Sequence, residues 1–131
     1  MIGDEAELLL ANETFYEAFS AGDVAAMDAL WAREAPVACV HPGADVLTGR
    51  TMVMRAWTAI LNGGGAPGIG AERPIAAALG DAGYVTCIER LGEGRLIATN
   101  VFVREGGRWH MVHHHAGPLA VPPARHGDAG S

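Results

Sequence analysis

Lysine is absent from this 131-residue chain: nine arginines face fifteen acids, and the net charge is -6. A nucleic-acid or anionic-membrane partner would need a basic face, so neither is expected. Cysteine is scarce as well. Cys39 and Cys87 are too few and too differently placed for a disulfide framework or a CxxC metal clip, and they are expected as buried thiols. No apolar run approaches the ~20 residues of a membrane span. The opening, MIGDEAELLL, carries acids where a signal peptide would carry positive charge, which predicts a cytoplasmic address. There is no HExxH or comparable ligand spacing. The glycine-rich NGGGAPGIG lacks the Lys and Ser/Thr of a P-loop and follows a helical pattern, so no metal and no cofactor is expected. This run reads instead as a flexible flap.

Half of the residues are apolar, in a chain long enough for one core. From Glu5 to Ala21, Leu8, Ala11, Phe15 and Phe19 recur at helical spacing, and Gly22 ends the pattern. Asp23 caps a second helix carrying Val24, Met27, Leu30 and Trp31. PVACVHP reads as a short buried strand, GADVLTG as an irregular link, and Thr48 as the cap of a third helix carrying Val53, Trp57, Ile60 and Leu61. Four strand patterns follow, ERPIAAAL, YVTCIERL, RLIATNVFVRE and RWHMVHHHA, separated by glycine turns. Three helices before an antiparallel meander make an α+β layer protein. Residues 1–118 are read as one domain and 119–131 as an extended, partly flexible tail.

This order, with its AGD turn and a first strand closed by His41-Pro42, resembles the nuclear transport factor 2-like superfamily, a cone with a cystatin-like fold. GGRWHMVHHHAGP with DAGYVTCIERL is similar to the association (hub) domain of calcium/calmodulin-dependent protein kinase. CVHPG, LTGR and ATNVFVRE resemble the SnoaL-like, polyketide-cyclase-like bacterial proteins. The resemblance implies three helices on a curved antiparallel sheet, a small-molecule pocket on its concave side, and a homodimer through its outer side.

The same resemblance assigns candidate site residues. In the ketosteroid isomerase branch, the proton-shuttling acid precedes the proline at the end of the first strand, a place that falls on His41; a neutral imidazole there keeps a base. The oxyanion tyrosine of that branch falls on Phe15, and Tyr16 beside it is expected to point about 100° away. The bland alternative for His41 is a hydrogen bond at a strand end. Glu89 and Asn100 fall where the kinase hub carries inward arginines, which favours a hydroxylated or cationic ligand; alternatively, Glu89 pairs with Arg90 or Arg104. Trp57 is expected in the core or the pocket wall.

Period-two alternation places Trp109, Met111, His113 and His115 on one face. The bulky pair marks it as concave, so His113 and His115 are expected in the pocket, free to converge on a ligand. Similarity to the hub would instead turn Ala116 inward and favour His114, and a β-bulge could reconcile the two. The expected function is binding of a small molecule by a homodimer. The alternatives are a cofactor-independent lyase or isomerase with His41 as base and Glu89, Asn100, His113 or His115 as donor, and a non-catalytic assembly module.

Overall fold

The computed structural model describes residues 3–120. Most of the predicted tail, 121–131, lies outside the described residues. Helix α1 (Asp4–Ala21) ends at Gly22, whose φ of 67° lets its N–H return to the Ala18 and Phe19 carbonyls. Asp23 then caps α2 (Val24–Leu30), accepting from the Ala26 N–H at 3.0 Å. Both boundaries follow the sequence reading.

Strand β1 (Ala38–Val40) runs into a turn closed by Ala44 N–H on the His41 carbonyl at 2.9 Å, with Gly43 at φ 76°. The predicted irregular link contains a short strand, β2 (Leu47–Thr48), paired antiparallel with β1. Helix α3 (Arg50–Asn62) starts at Gly49 without a side-chain cap, so the cap expected at Thr48 is corrected: that residue belongs to the β2 ladder. What fixes the start of α3 is Arg50. Its guanidinium donates to the Trp31 and Asp28 carbonyls at 2.8 and 2.9 Å and to Asp28 Oδ1 at 2.6 Å, tying α3 to α2.

The four meander strands are β3 (Gly70–Leu79), β4 (Ala82–Leu91), β5 (Gly94–Glu105) and β6 (Arg108–Pro118). They build a six-stranded sheet of order β2-β1-β6-β5-β4-β3, antiparallel except where β1 lies parallel to β6. The three helices cover one face. Leu8, Phe15, Trp31, Trp57, Val85, Phe102 and Met111 are fully buried between the layers. Below the α2–β1 link, the Glu105 carboxylate accepts three successive backbone N–H groups, from Arg33, Glu34 and Ala35, at 2.9, 3.0 and 2.8 Å.

The glycine run after α3 does not hang free as a flap. Ala66 N–H donates to the Phe19 carbonyl at 3.0 Å and Gly68 N–H to Ser20 Oγ at 2.9 Å, which pins the segment to the end of α1. A Cβ on Gly65 would stand 2.3 Å from that same Phe19 carbonyl oxygen. The approach has room only for glycine.

Two stability measurements check these constraints. Gly65→Ala should lower the unfolding free energy by about 3 kcal/mol or more, because a left-handed backbone and a backbone clash combine. Gly43→Ala, with φ positive but open space around it, should cost only about 1 kcal/mol by denaturant titration. Glu105 is held below the usual carboxylate range, first by the Arg33 N–H and then by that of Ala35. A depressed folded-state pKa stabilises above the unfolded value and loses that contribution as pH falls through the folded one. Glu105→Gln should therefore be less stable than the parent at neutral pH, and the gap should close in acid.

Candidate functional site

The inner wall of the sheet is built by strand alternation. Along β4, Val85, Cys87 and Glu89 turn inward; across from it on β5, Ala98, Asn100 and Phe102 do the same. Asn100 in turn pairs with His114 on β6. Glu89 and Asn100 are therefore where the sequence placed them, 3% and 0% exposed.

The last strand departs from simple alternation. Val101 pairs with His113 and Phe102 with Met111, which leaves Val112 unopposed: a β-bulge. Before it Trp109 and Met111 face inward; after it His114 and Ala116 do. The expectation that His113 and His115 line the concave side is thus corrected. His113 is half-buried, donating from Nδ1 to the Ala38 carbonyl at 3.0 Å, and His115 is exposed. With Ile97, Thr99 and Gly117 they line a shallow groove on the sheet's outer side.

His114, buried at 1% exposure, joins a cluster that spans the layers. Its Nδ1 lies 2.6 Å from Asn100 Oδ1, and its Nε2 lies 3.7 Å from Glu89 Oε2. Tyr16 reaches from α1 to donate to Glu89 Oε2 at 2.7 Å and stands 3.3 Å from Cys87 Sγ. Asn100 Nδ2 donates to Asn12 Oδ1 at 2.8 Å and to the Tyr16 oxygen at 3.2 Å. Glu89 has a tyrosine and a histidine as neighbours where an arginine was the alternative reading.

The 100° offset of Tyr16 from Phe15 does not carry it out of the core: the buried face of α1 holds Leu8, Asn12, Phe15, Tyr16 and Ala18, wide enough for both aromatics. A stripe width of that order was the available signal.

His41 stands at the rim. Half-buried, it lies two residues after Cys39 on the same face of β1, with Nε2 3.7 Å from the Cys39 thiol. Its ring is 5.0 Å from Trp57 and 6.4 Å from His114. Trp57, fully buried, also meets Phe15 edge to face at 5.3 Å, and its indole N–H has no hydrogen-bond partner among the described residues. Among those residues, no group of three or more His, Cys, Asp or Glu side chains is arranged to hold a metal ion.

Burial governs the proton affinities. It lowers His41 and pushes His114 down to about 3, with His41, His113 and His115 adding to the effect, so both rings are neutral at pH 7. It raises Glu89, opposed by the Tyr16 hydroxyl, and pushes Cys39 up to about 12. The wall is a set of neutral imidazoles, an acid of raised proton affinity, and thiols that stay protonated. Such a set can exchange protons with a bound molecule without separating charge in a dry interior.

Two opposite pH dependences follow. His114 takes up a proton on unfolding, so stability should fall as pH drops from 6.5 toward about 3, by at most about 1.4 kcal/mol per pH unit. Glu89, raised in the fold, removes stability as pH climbs above its unfolded value of 4.5. In a pH series of thermal melts, His114→Gln should be less stable at neutral pH and show a flatter acid limb.

Residues 9–121 match the SnoaL-like domain family. The F-box protein SKIP8 of Arabidopsis thaliana is 28% identical over 116 residues, which are 87% of this chain and 50% of that protein; the chain spans about half the length of the curated relative it matches. Among solved structures, a candidate dehydratase of the NTF2-like family from Streptomyces avermitilis is 32% identical, with a TM-score of 0.79 over 90% of this chain and 97% of that one. A candidate calcium/calmodulin-dependent protein kinase type II association domain from Thiobacillus denitrificans is 35% identical, with a TM-score of 0.64 over 83% and 92%. The family match covers all but the two ends of the chain, over a cone whose strands and helices were traced above: this protein belongs to the SnoaL-like domain family of the NTF2-like fold.

Proposed function

We propose that the protein binds a compact small molecule between α1, α3 and the concave side of the sheet. The observation that carries this reading is the buried polar set Tyr16, Glu89, Asn100 and His114, on an inner wall that also holds Trp57, whose indole lies beside the Cys39 thiol. Interiors rarely retain so many polar groups for packing alone. His41 forms the half-exposed lip.

A homodimer packed through the outer side of the sheet completes the proposal, supported by Ile75, Tyr84 and Ile97, exposed at 49%, 37% and 47% on that side. Free Cys39 and Cys87 fit a reducing, cytoplasmic address, and no described helix is long and apolar enough to cross a membrane.

A second reading adds turnover. It is favoured by the neutral, half-buried His41, whose ring lies 6.4 Å from that of His114, the neighbour of Glu89, and by the 32%-identical structure described as a candidate dehydratase. In a dehydration without cofactor, His41 Nε2 takes a proton from carbon while Glu89 gives its proton to the departing hydroxyl. The C–H electron pair becomes the new C=C bond and water leaves. Proton return from imidazolium to carboxylate resets the pair. His113 and His115, turned outward, take no part.

A fragment screen read by NMR tests binding: cyclic alcohols, ketones and acids should shift the Trp57 indole resonance, and a library that moves nothing in the interior sinks the proposal. For any compound that is turned over, His41→Ala should lower kcat by about a hundredfold or more with the fold intact; unchanged kcat removes the base role. Light scattering should give a dimer that Ile97→Arg converts to monomer. A ring of many subunits would favour the assembly module instead.

A further inference from the structure

Asn100 sits at the centre of the buried cluster, and Tyr16 sets the direction of its amide: the Tyr16 hydroxyl gives its proton to Glu89 Oε2, so its oxygen accepts from Nδ2. Its Nδ2 donates twice, to Asn12 Oδ1 at 2.8 Å and to the Tyr16 oxygen at 3.2 Å. The other end of the amide, Oδ1, can only accept, and it lies 2.6 Å from His114 Nδ1. That nitrogen must therefore carry the ring proton. In a neutral imidazole, Nε2 is then a bare lone pair, and it is the atom that faces Glu89 Oε2 at 3.7 Å.

No cation reaches this wall among the described residues. Arg50 is taken up by Asp28 and backbone carbonyls, Arg104 by Asp4, Glu7 and the Trp109 ring, and Arg90 and Arg95 by Glu72. The titratable groups facing His114 are Tyr16 from α1, Glu89 and Cys87 from β4, Cys39 from β1 and His41 just after it, with His113 and His115 on the other side of its own strand.

We propose that Asn100 is a positioning residue that holds His114 in its Nδ1–H form, so that the inner wall offers a lone pair and neutral donors but no positive charge. The ligand is accordingly an uncharged carbonyl or hydroxyl compound, not a carboxylate or phosphate. The second half of this inference rests on the binding site proposed above. A ligand hydroxyl donates to Nε2, while the Tyr16 proton stays with Glu89 Oε2. An anion would find the raised Glu89 acid and would have to recruit a proton onto an imidazole that full burial keeps neutral.

Two measurements on the intact protein decide it. Long-range nitrogen–proton NMR should show His114 protonated at Nδ1 and unchanged from about pH 5 to about pH 8, and Asn100→Asp should bring the His114 titration up into that range. An Nε2–H or doubly protonated ring in the parent protein overturns the positioning role, whether or not the variant folds. In parallel, cyclohexenone and phenol should bind at least about tenfold more tightly than benzoate. If benzoate binds more tightly, the ligand class is wrong while the binding site stands. If none of the three binds at millimolar concentration, the binding site itself falls and the ligand class with it, and the tautomer result remains to judge Asn100 alone.

Discussion

Val112 has no partner across the sheet, and that single unpaired residue decides which imidazole reaches the interior. A regular β6 would carry the face of Trp109 and Met111 on to His113 and His115. The extra residue shifts the alternation by one, so that His114 and Ala116 continue the inner wall instead. Since β6 lies between β5 and β1, the shift has consequences on both sides. Toward β5 it sets His114 opposite Asn100; toward β1 it sets His114 beside Cys39, two residues before His41. The polar wall exists because the ladder is irregular at one point.

The wall is a costly arrangement that the fold keeps nearly satisfied. A buried polar group without a partner costs about 1–3 kcal/mol, and Asn12, Tyr16, Cys87, Glu89, Asn100 and His114 answer that cost with one another across α1, β4, β5 and β6. The exceptions among the described residues are the three indole N–H groups of Trp31, Trp57 and Trp109. Trp109 has other company, the Arg104 guanidinium 4.2 Å above its ring. Trp57, between Phe15, Phe19 and His41, is the orphan nearest the cluster. A purely structural core would be more stable with hydrocarbon at these positions.

Much of this was legible from residues alone. Similarity to the kinase hub turns Glu89 and Asn100 inward, and both are buried on β4 and β5. The helices declare themselves through Gly22, Asp23 and their apolar spacing. The bulge was not legible, because an inserted residue leaves no mark in MVHHH: His113, His114 and His115 are chemically identical, and only pairing distinguishes them. The tension between simple alternation and the similarity that turned Ala116 inward was the one available sign, and Ala116 is indeed buried. Tyr16 escaped because two adjacent aromatics on a helix can share one broad stripe. The start of α3 escaped because its anchor, Arg50, binds carbonyls of Asp28 and Trp31 that no local pattern connects to it.

The deepest groups of the wall are nearly sealed: His114, Asn100 and Tyr16 are each at most 1% exposed, and Glu89 is 3% exposed, while His41 is half-buried. His41, at the rim, is not free to swing with its backbone. Its carbonyl closes the turn to Ala44, with Pro42 setting one dihedral and Gly43 supplying the positive φ of 76° that completes it. The ring stacks edge-on against Trp57, itself held by Phe15 and Phe19. The lip is therefore built as rigidly as the interior.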